Sequence, residues 1–176
     1  MKHRRGWTLF FFAVLFLIID AASKYWVNAH LPAIQSSLPF YPYGGMGVFQ
    51  NVLGIDFSIN KTYNTGGAWS LFSNFPHALL ISRIGIIIGL FTYTLGFNKN
   101  RARDIPLLLI LTGAIGNIID FFLYGAVIDM FYFVLWGYSY PIFNVADALI
   151  FFGVASLLIQ ELLKKRQGHA AKPSQN

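Results

Sequence analysis

The chain has 176 residues, of which 56% are hydrophobic and 11% charged, against roughly 25% charged in a soluble domain. The charge deficit excludes an ordinary water-soluble globule and identifies lipid as the solvent. Cys is absent, so disulfides, thiolate metal sites and a Cys nucleophile are excluded. The formal net charge is +6, but the basic residues flank apolar runs. They read as membrane orientation, and no nucleic-acid partner is expected.

Four apolar runs are long enough to cross a bilayer: Trp7 to Val27, Ala78 to Phe97, Ile105 to Tyr124 and Pro141 to Leu163. About 20 residues at ~1.5 Å rise cover a ~30 Å hydrocarbon core. In lipid the backbone must satisfy its own hydrogen bonds, so these runs are expected to be helices. The first run, preceded by Lys2, Arg4 and Arg5 and followed by Ala21-Ala22-Ser23, resembles a cleavable leader. Three further spans and the Asp20/Lys24 pair near its end favour a retained first helix.

Ten of the thirteen Lys and Arg fall on one side of a four-span layout. They lie in the N-terminus, in the 99–103 loop and in the tail, so both termini are predicted to be cytoplasmic. Residues 1–166 form one membrane domain, and 167–176 form a polar tail expected to be disordered.

The outward segment 28–77 is long and rich in Pro and Gly, and its stretch Val48 to Asn60 alternates partly and favours β-structure. The expected fold is therefore all-α and polytopic, with four transmembrane helices. A small β-sheet is inserted between the first two of them. A loop of this length in so small a protein is usually functional. The other outward segment, Gly125 to Tyr140, is aromatic and is predicted to lie at the interface.

Depth counting gathers the polar residues of the spans toward the outward face. Asp20 and Lys24 end the first span. Arg83 lies about one and a half turns into the second at 3.6 residues per turn. Asn117 and Asp120 close the third, Asn144 and Asp147 open the fourth, and Asp129 lies just beyond the third. Charged groups within a bilayer cost at least ~2.5 kcal/mol each, so they are usually paired or functional. Asp20 and Lys24 have the spacing of an intrahelical salt bridge. Asp120, Asp129 and Asp147 have few cations near them.

Two carboxyl groups sharing a low-dielectric site hold one proton between them. One acts as base on water while the other polarises a carbonyl. This is aspartic-protease chemistry, and it needs no metal, Ser or Cys. The four His (His3, His30, His77, His169) are scattered and form no HExxH pair, so no metal or other cofactor is expected. Ser23 beside Lys24 points to another side of its helix, and no GxSxG elbow occurs. Spacing alone leaves all three aspartates open as members of the pair.

Four segments, in order, resemble the bacterial lipoprotein signal peptidase (signal peptidase II) family. They are Asp20-Ala-Ala-Ser-Lys24, Asn64-Thr-Gly-Gly-Ala-Trp-Ser70, Gly113-Ala-Ile-Gly-Asn-Ile-Ile-Asp120 with Val127-Ile-Asp129, and Phe143-Asn-Val-Ala-Asp147. The resemblance implies an intramembrane aspartic endopeptidase of the bacterial inner membrane. Such an enzyme removes the signal peptide of diacylglyceryl-modified prolipoproteins, just before the lipidated Cys. It places the catalytic pair on Asp129 and Asp147. Asp20, Lys24, Asn64, Asn117, Asp120 and Asn144 would support the pair or position substrate, and Gly66 would lie beside the site in a sheet that cradles the substrate. It further implies membrane lipid and prolipoproteins as partners, globomycin-type cyclic peptides as inhibitors, a monomer, and a site toward the periplasm. The chain departs from the family at Phe121, where Arg usually follows the aspartate, and Arg83 is the candidate substitute. Gly67, Trp69 and Ala21 are also uncommon at their positions.

A small transporter using the aspartates as a relay, or a non-catalytic lipid-binding member, are the competing readings. The first needs polar residues continuing into the cytoplasmic half, and these are nearly absent.

Overall fold

The computed structural model describes residues 2–34, 38–66 and 74–170. In chain order it comprises α1 (Lys2–His30), β1 (Met46–Val52), β2 (Ile55–Asn64), α2 (Pro76–Thr92), α3 (Asp104–Tyr124), β3 (Val127–Leu135), β4 (Tyr138–Ser139) and α4 (Val145–Ala170). Among the described residues, four helices are long and apolar enough to cross a membrane. Their outer faces carry exposed Phe10, Phe11, Ile18, Ile86, Phe122 and Phe151. Apolar surface on this scale is stable against lipid, not water.

The third and fourth helices approach closely because their contact residues are small. A Cβ on Gly116 would stand 2.7 Å from an Asp20 carboxylate oxygen and 3.3 Å from the Ala146 side chain. The first helix packs on this pair, and the second packs chiefly on α3. Beyond Thr92 the second helix widens into a π turn over Tyr93–Phe97. At the helix ends remote from the sheet, Arg5 pairs with Asp104 at 3.0 Å and Arg103 with Glu161 at 3.1 Å.

All four strands are antiparallel, in the order β1-β2-β3-β4. Two-residue turns close both hairpins. Leu53 and Gly54 form one and Trp136 and Gly137 the other, with φ of 54°, 81°, 48° and 82°. Positive φ at both central positions matches the twist of paired strands. The two tips are stitched together: Trp136 donates its backbone N–H to the Gly54 carbonyl at 2.8 Å and its indole N–H to the Leu53 carbonyl at 3.1 Å. Val27, Ile128 and Met130 form a small core between α1 and the sheet.

The sheet is not confined to the segment between the first two helices, as the sequence led us to expect. Only β1 and β2 come from that segment, while β3 and β4 lie between α3 and α4. The reason is burial on both faces. Val127–Leu135 is nearly all apolar or aromatic and mostly buried, so it lacks the alternation that marks a half-exposed strand. Asp129 therefore sits on a strand. Helix α3 stops at Tyr124, capped by Gly125 at φ 74°, and the chain turns directly into β3.

Two boundaries also move. Pro141 to Phe143 is extended chain bridged to Phe131, and α4 starts at Val145. Its other end runs on to Ala170, three residues past Gln167. The expectation for the rest of the tail, and the Gly67 and Trp69 positions, lie outside the described residues.

Candidate active site

Asp147 owes its position to the start of α4. Asn144 is the N-cap: its side-chain oxygen accepts the Asp147 N–H at 2.8 Å, and the Asn144 N–H reaches back to an Asp147 carboxylate oxygen at 3.3 Å. This is the reciprocal capping-box arrangement, with Asp in place of the usual Glu. The next open N–H, that of Ala146, donates to Asp20 of α1 at 2.8 Å. Asp147 thus sits at a helix N-terminus, where backbone N–H groups favour negative charge.

The position of Asp129 follows from sheet register. It lies opposite Thr62 of β2. Asn64, two residues on, shares that face and reaches Asp129 diagonally. A register shift between Ile59 and Thr62 sits beside the aspartate, and bulges of this kind re-aim side chains next to functional sites. Phe143 accepts from the backbone of both Met130 and Phe131, which brings the helix cap alongside β3.

Three amides surround the two carboxylates, each with its orientation fixed by a donor to its oxygen. The Asn64 oxygen accepts from the Gly66 N–H at 3.0 Å, so its NH2 donates to Asp129 at 2.9 Å. The Asn117 oxygen accepts from Lys24 at 3.1 Å, so its NH2 donates to Asp147 at 2.8 Å. Because the Asn144 oxygen is used in the cap, its NH2 donates to Asp129 at 2.8 Å. It also lies within reach of the Asn117 oxygen at 3.2 Å and the Ile128 carbonyl at 3.3 Å. Asn144 therefore ties both carboxylates together. Burial, then the charge of Asp147, push the Asp129 carboxyl up from 3.8 to about 7, although the amides from Asn64 and Asn144 oppose the rise.

Behind the amides stands a buried triad. The Lys24 ammonium, fully buried, is 2.7 Å from Asp20 and 2.8 Å from Asp120. Asp120 also accepts the Ile128 N–H at 3.3 Å, which pins the start of β3 to the end of α3.

In front of the carboxylates opens a cavity of about 530 Å³. Asn64, Arg83, Asn117, Asp129 and Asp147 line its polar end, and Phe133, Leu135, Tyr140, Phe143, Phe151 and Phe152 contribute to its apolar wall. Asp120, Asp20, Lys24 and Asn144 stand outside the lining, and Phe121 contributes nothing to it. Sequence reasoning missed that apolar wall, and with it the Phe133 and Leu135 positions on β3. The only signal is their place on one strand with Asp129, at two-residue spacing from Phe131 onward. Among the described residues, no three His, Cys, Asp or Glu side chains are grouped to hold a metal ion.

Comparison with known proteins identifies the family. The family model described as Signal peptidase (SPase) II matches residues 12–163. A lipoprotein signal peptidase of Deinococcus radiodurans is 34% identical, over 96% of this chain and 88% of its own length. One of Bartonella bacilliformis is 35% identical, over 86% of this chain and 87% of its own length. Two solved bacterial membrane enzymes share the fold. One has a TM-score of 0.73 at 27% identity, covering 96% of this chain and 94% of its own. The other has a TM-score of 0.69 at 28% identity, covering 88% and 92%. The match extends from α1 into α4 and takes in all four segments read from the sequence, so the chain belongs to the signal peptidase II family.

Proposed function

We propose that this protein is an intramembrane aspartic endopeptidase that removes signal peptides from lipidated prolipoproteins, with Asp129 and Asp147 as its catalytic pair. The observation that carries the reading is the bridging of these two carboxylates by Asn144 at the head of an apolar cavity. Two carboxyl groups so placed share one proton. The ionised member takes a proton from water as that water attacks the scissile carbonyl. The protonated member gives its proton to the carbonyl oxygen; as the tetrahedral intermediate collapses, the first member passes the proton taken from water to the leaving nitrogen and the second regains one from the intermediate's hydroxyl. Asn64, Asn117 and Asn144 donate to the carboxylates and so keep the ionised member available. Asp20, Lys24 and Asp120 hold α1, α3 and β3 in the register that brings the pair together.

The apolar wall suits the lipid-modified and apolar part of such a substrate. Because α2 packs chiefly on α3, the side between Arg83 of α2 and Phe151 and Phe152 of α4 is the route by which a membrane-bound substrate reaches the pair. The sheet supplies Asn64, Asp129, Phe133 and Leu135 to the cavity wall. The basic residues at the opposite helix ends support a layout with both termini in the cytoplasm and the site toward the periplasm. A relay through the membrane has no support in the spans: Ile105 to Gly116 and Ala148 to Gln160 contain no ionisable residue.

The test is gel-shift cleavage of a purified lipidated prolipoprotein, with and without globomycin. Asp129→Asn and Asp147→Asn are each expected to remain folded and to lose cleavage by at least ~100-fold, the range of one acid–base group. Wild-type activity in either variant overturns the assignment.

A further inference from the structure

Charge around the cavity is unevenly matched. Lys24 is already shared by two carboxylates, Asp20 and Asp120. Lys61 donates to the Asn28 carbonyl at 2.8 Å. Among the described residues, Asp129 and Asp147 receive only neutral donors: the amides of Asn64, Asn117 and Asn144 and one backbone N–H. The cation on the cavity wall is Arg83. It is half-buried, and the charges of Asp147 and then Asp129 reach it. Among the described residues its guanidinium makes no hydrogen bond or ion pair. An arginine inside a span is costly unless it is paired or has a task.

We infer that Arg83 is a positioning residue for the peptidase reaction: its fixed charge, on the same cavity wall as Asp129 and Asp147, holds the pair in its singly ionised state. The inference rests on the pair's catalytic role proposed above. A fixed cation favours loss of the first of the pair's two protons. Lys24 also favours the ionised form of Asp129, but it stands outside the cavity lining and is shared by Asp20 and Asp120. On α1 and α3, Asp20, Lys24 and Asp120 carry one positive charge against two negative. On β2, Lys61 is turned to the Asn28 carbonyl. On α2 itself, His77 is the other titratable residue.

The experiment is the pH–rate profile for cleavage of a lipidated prolipoprotein, with kcat and KM measured separately, by wild type, Arg83→Gln and Arg83→Lys. All three are made in a His77→Gln background to remove the other titrating group on α2. Arg83→Gln is expected to move the acid limb upward by about one pH unit, the lower end of what a neighbouring opposite charge does to a carboxyl. Arg83→Lys is expected to keep the limb near wild type. Arg83→Met provides the same loss of charge if Gln is not tolerated in the span. A limb that stays in place, or a rise in KM alone, overturns the inference and leaves Arg83 as a substrate contact. These outcomes are separable from failure of the pair itself, which shows as activity in Asp129→Asn or Asp147→Asn.

Discussion

Replacing Lys24 by Met removes the one positive charge of a buried triad while keeping its apolar stem. In the native protein the ammonium lies 2.7 Å from Asp20, 2.8 Å from Asp120 and 3.1 Å from the Asn117 oxygen. Its loss leaves two carboxylates buried without a counter-ion. Breaking a buried pair in this way costs about 3–5 kcal/mol. For a chain of this size each kcal/mol lowers Tm by roughly 2–4 °C, so a fall of roughly 6–20 °C is expected. The measurement is thermal unfolding in detergent micelles, followed by loss of monodisperse protein. Adding Asp20→Asn and Asp120→Asn to Lys24→Met removes both orphaned charges. The new amide at position 20 still offers an oxygen to the Ala146 N–H, so most of the lost stability should return. A Lys24→Met variant that melts within ~3 °C of wild type, about 0.8–1.5 kcal/mol on the same scale, or a triple variant less stable than the single one, refutes this role for the triad.

Stability should also depend on pH through Asp129. Its folded pKa, about 7, lies above the ordinary 3.8, so the folded state holds the proton more tightly than the unfolded state. This stabilisation is complete below about pH 4 and is lost as pH rises through about 7. Tm should therefore be higher at pH 5 than at pH 8, and Asp129→Asn should flatten that slope; an equal slope in the variant refutes the linkage. Asn144→Ala should cost about 1 kcal/mol through the lost helix cap. It should also reduce kcat far more than KM, by ~100-fold or more, because the carboxylates lose their bridge. Single-turnover cleavage by folded Asn144→Ala checks this, and near-normal kcat would mean that the pair does not depend on that amide.

Much of this architecture is legible in the sequence because lipid imposes strong rules. Spans must be apolar, and so each Asp, Asn or Lys within them stands out. Depth counting alone brings Asn117, Asp120, Asn144 and Asp147 to one end of the bundle. The Asn144-x-x-Asp147 spacing is also a helix-start signal, and the structure uses it as one. Asp129 is harder to place. Counting along a helix puts it just beyond the third span, whereas a left-handed Gly125 reverses the chain and a strand brings it alongside Asp147. That strand pairs with residues far away in sequence, Asn64 with Val127 and Ile55 with Leu135, and no local pattern encodes such a register. Nor does any local pattern aim Arg83 at the cavity, since only the packing of α2 on α3 sets which way its faces turn.

The division of the sheet between two distant segments also orders events during synthesis. The β1–β2 hairpin emerges first, and a lone two-stranded hairpin is at best marginally stable in water. It gains its third strand only when residues 127–135 arrive, after two more helices have been inserted. Asp147 follows on the last helix, capped in part by Asp20 from the first. The two carboxylates therefore meet only after nearly the whole chain has been made, and a nascent fragment stalled in the translocation machinery carries no completed pair.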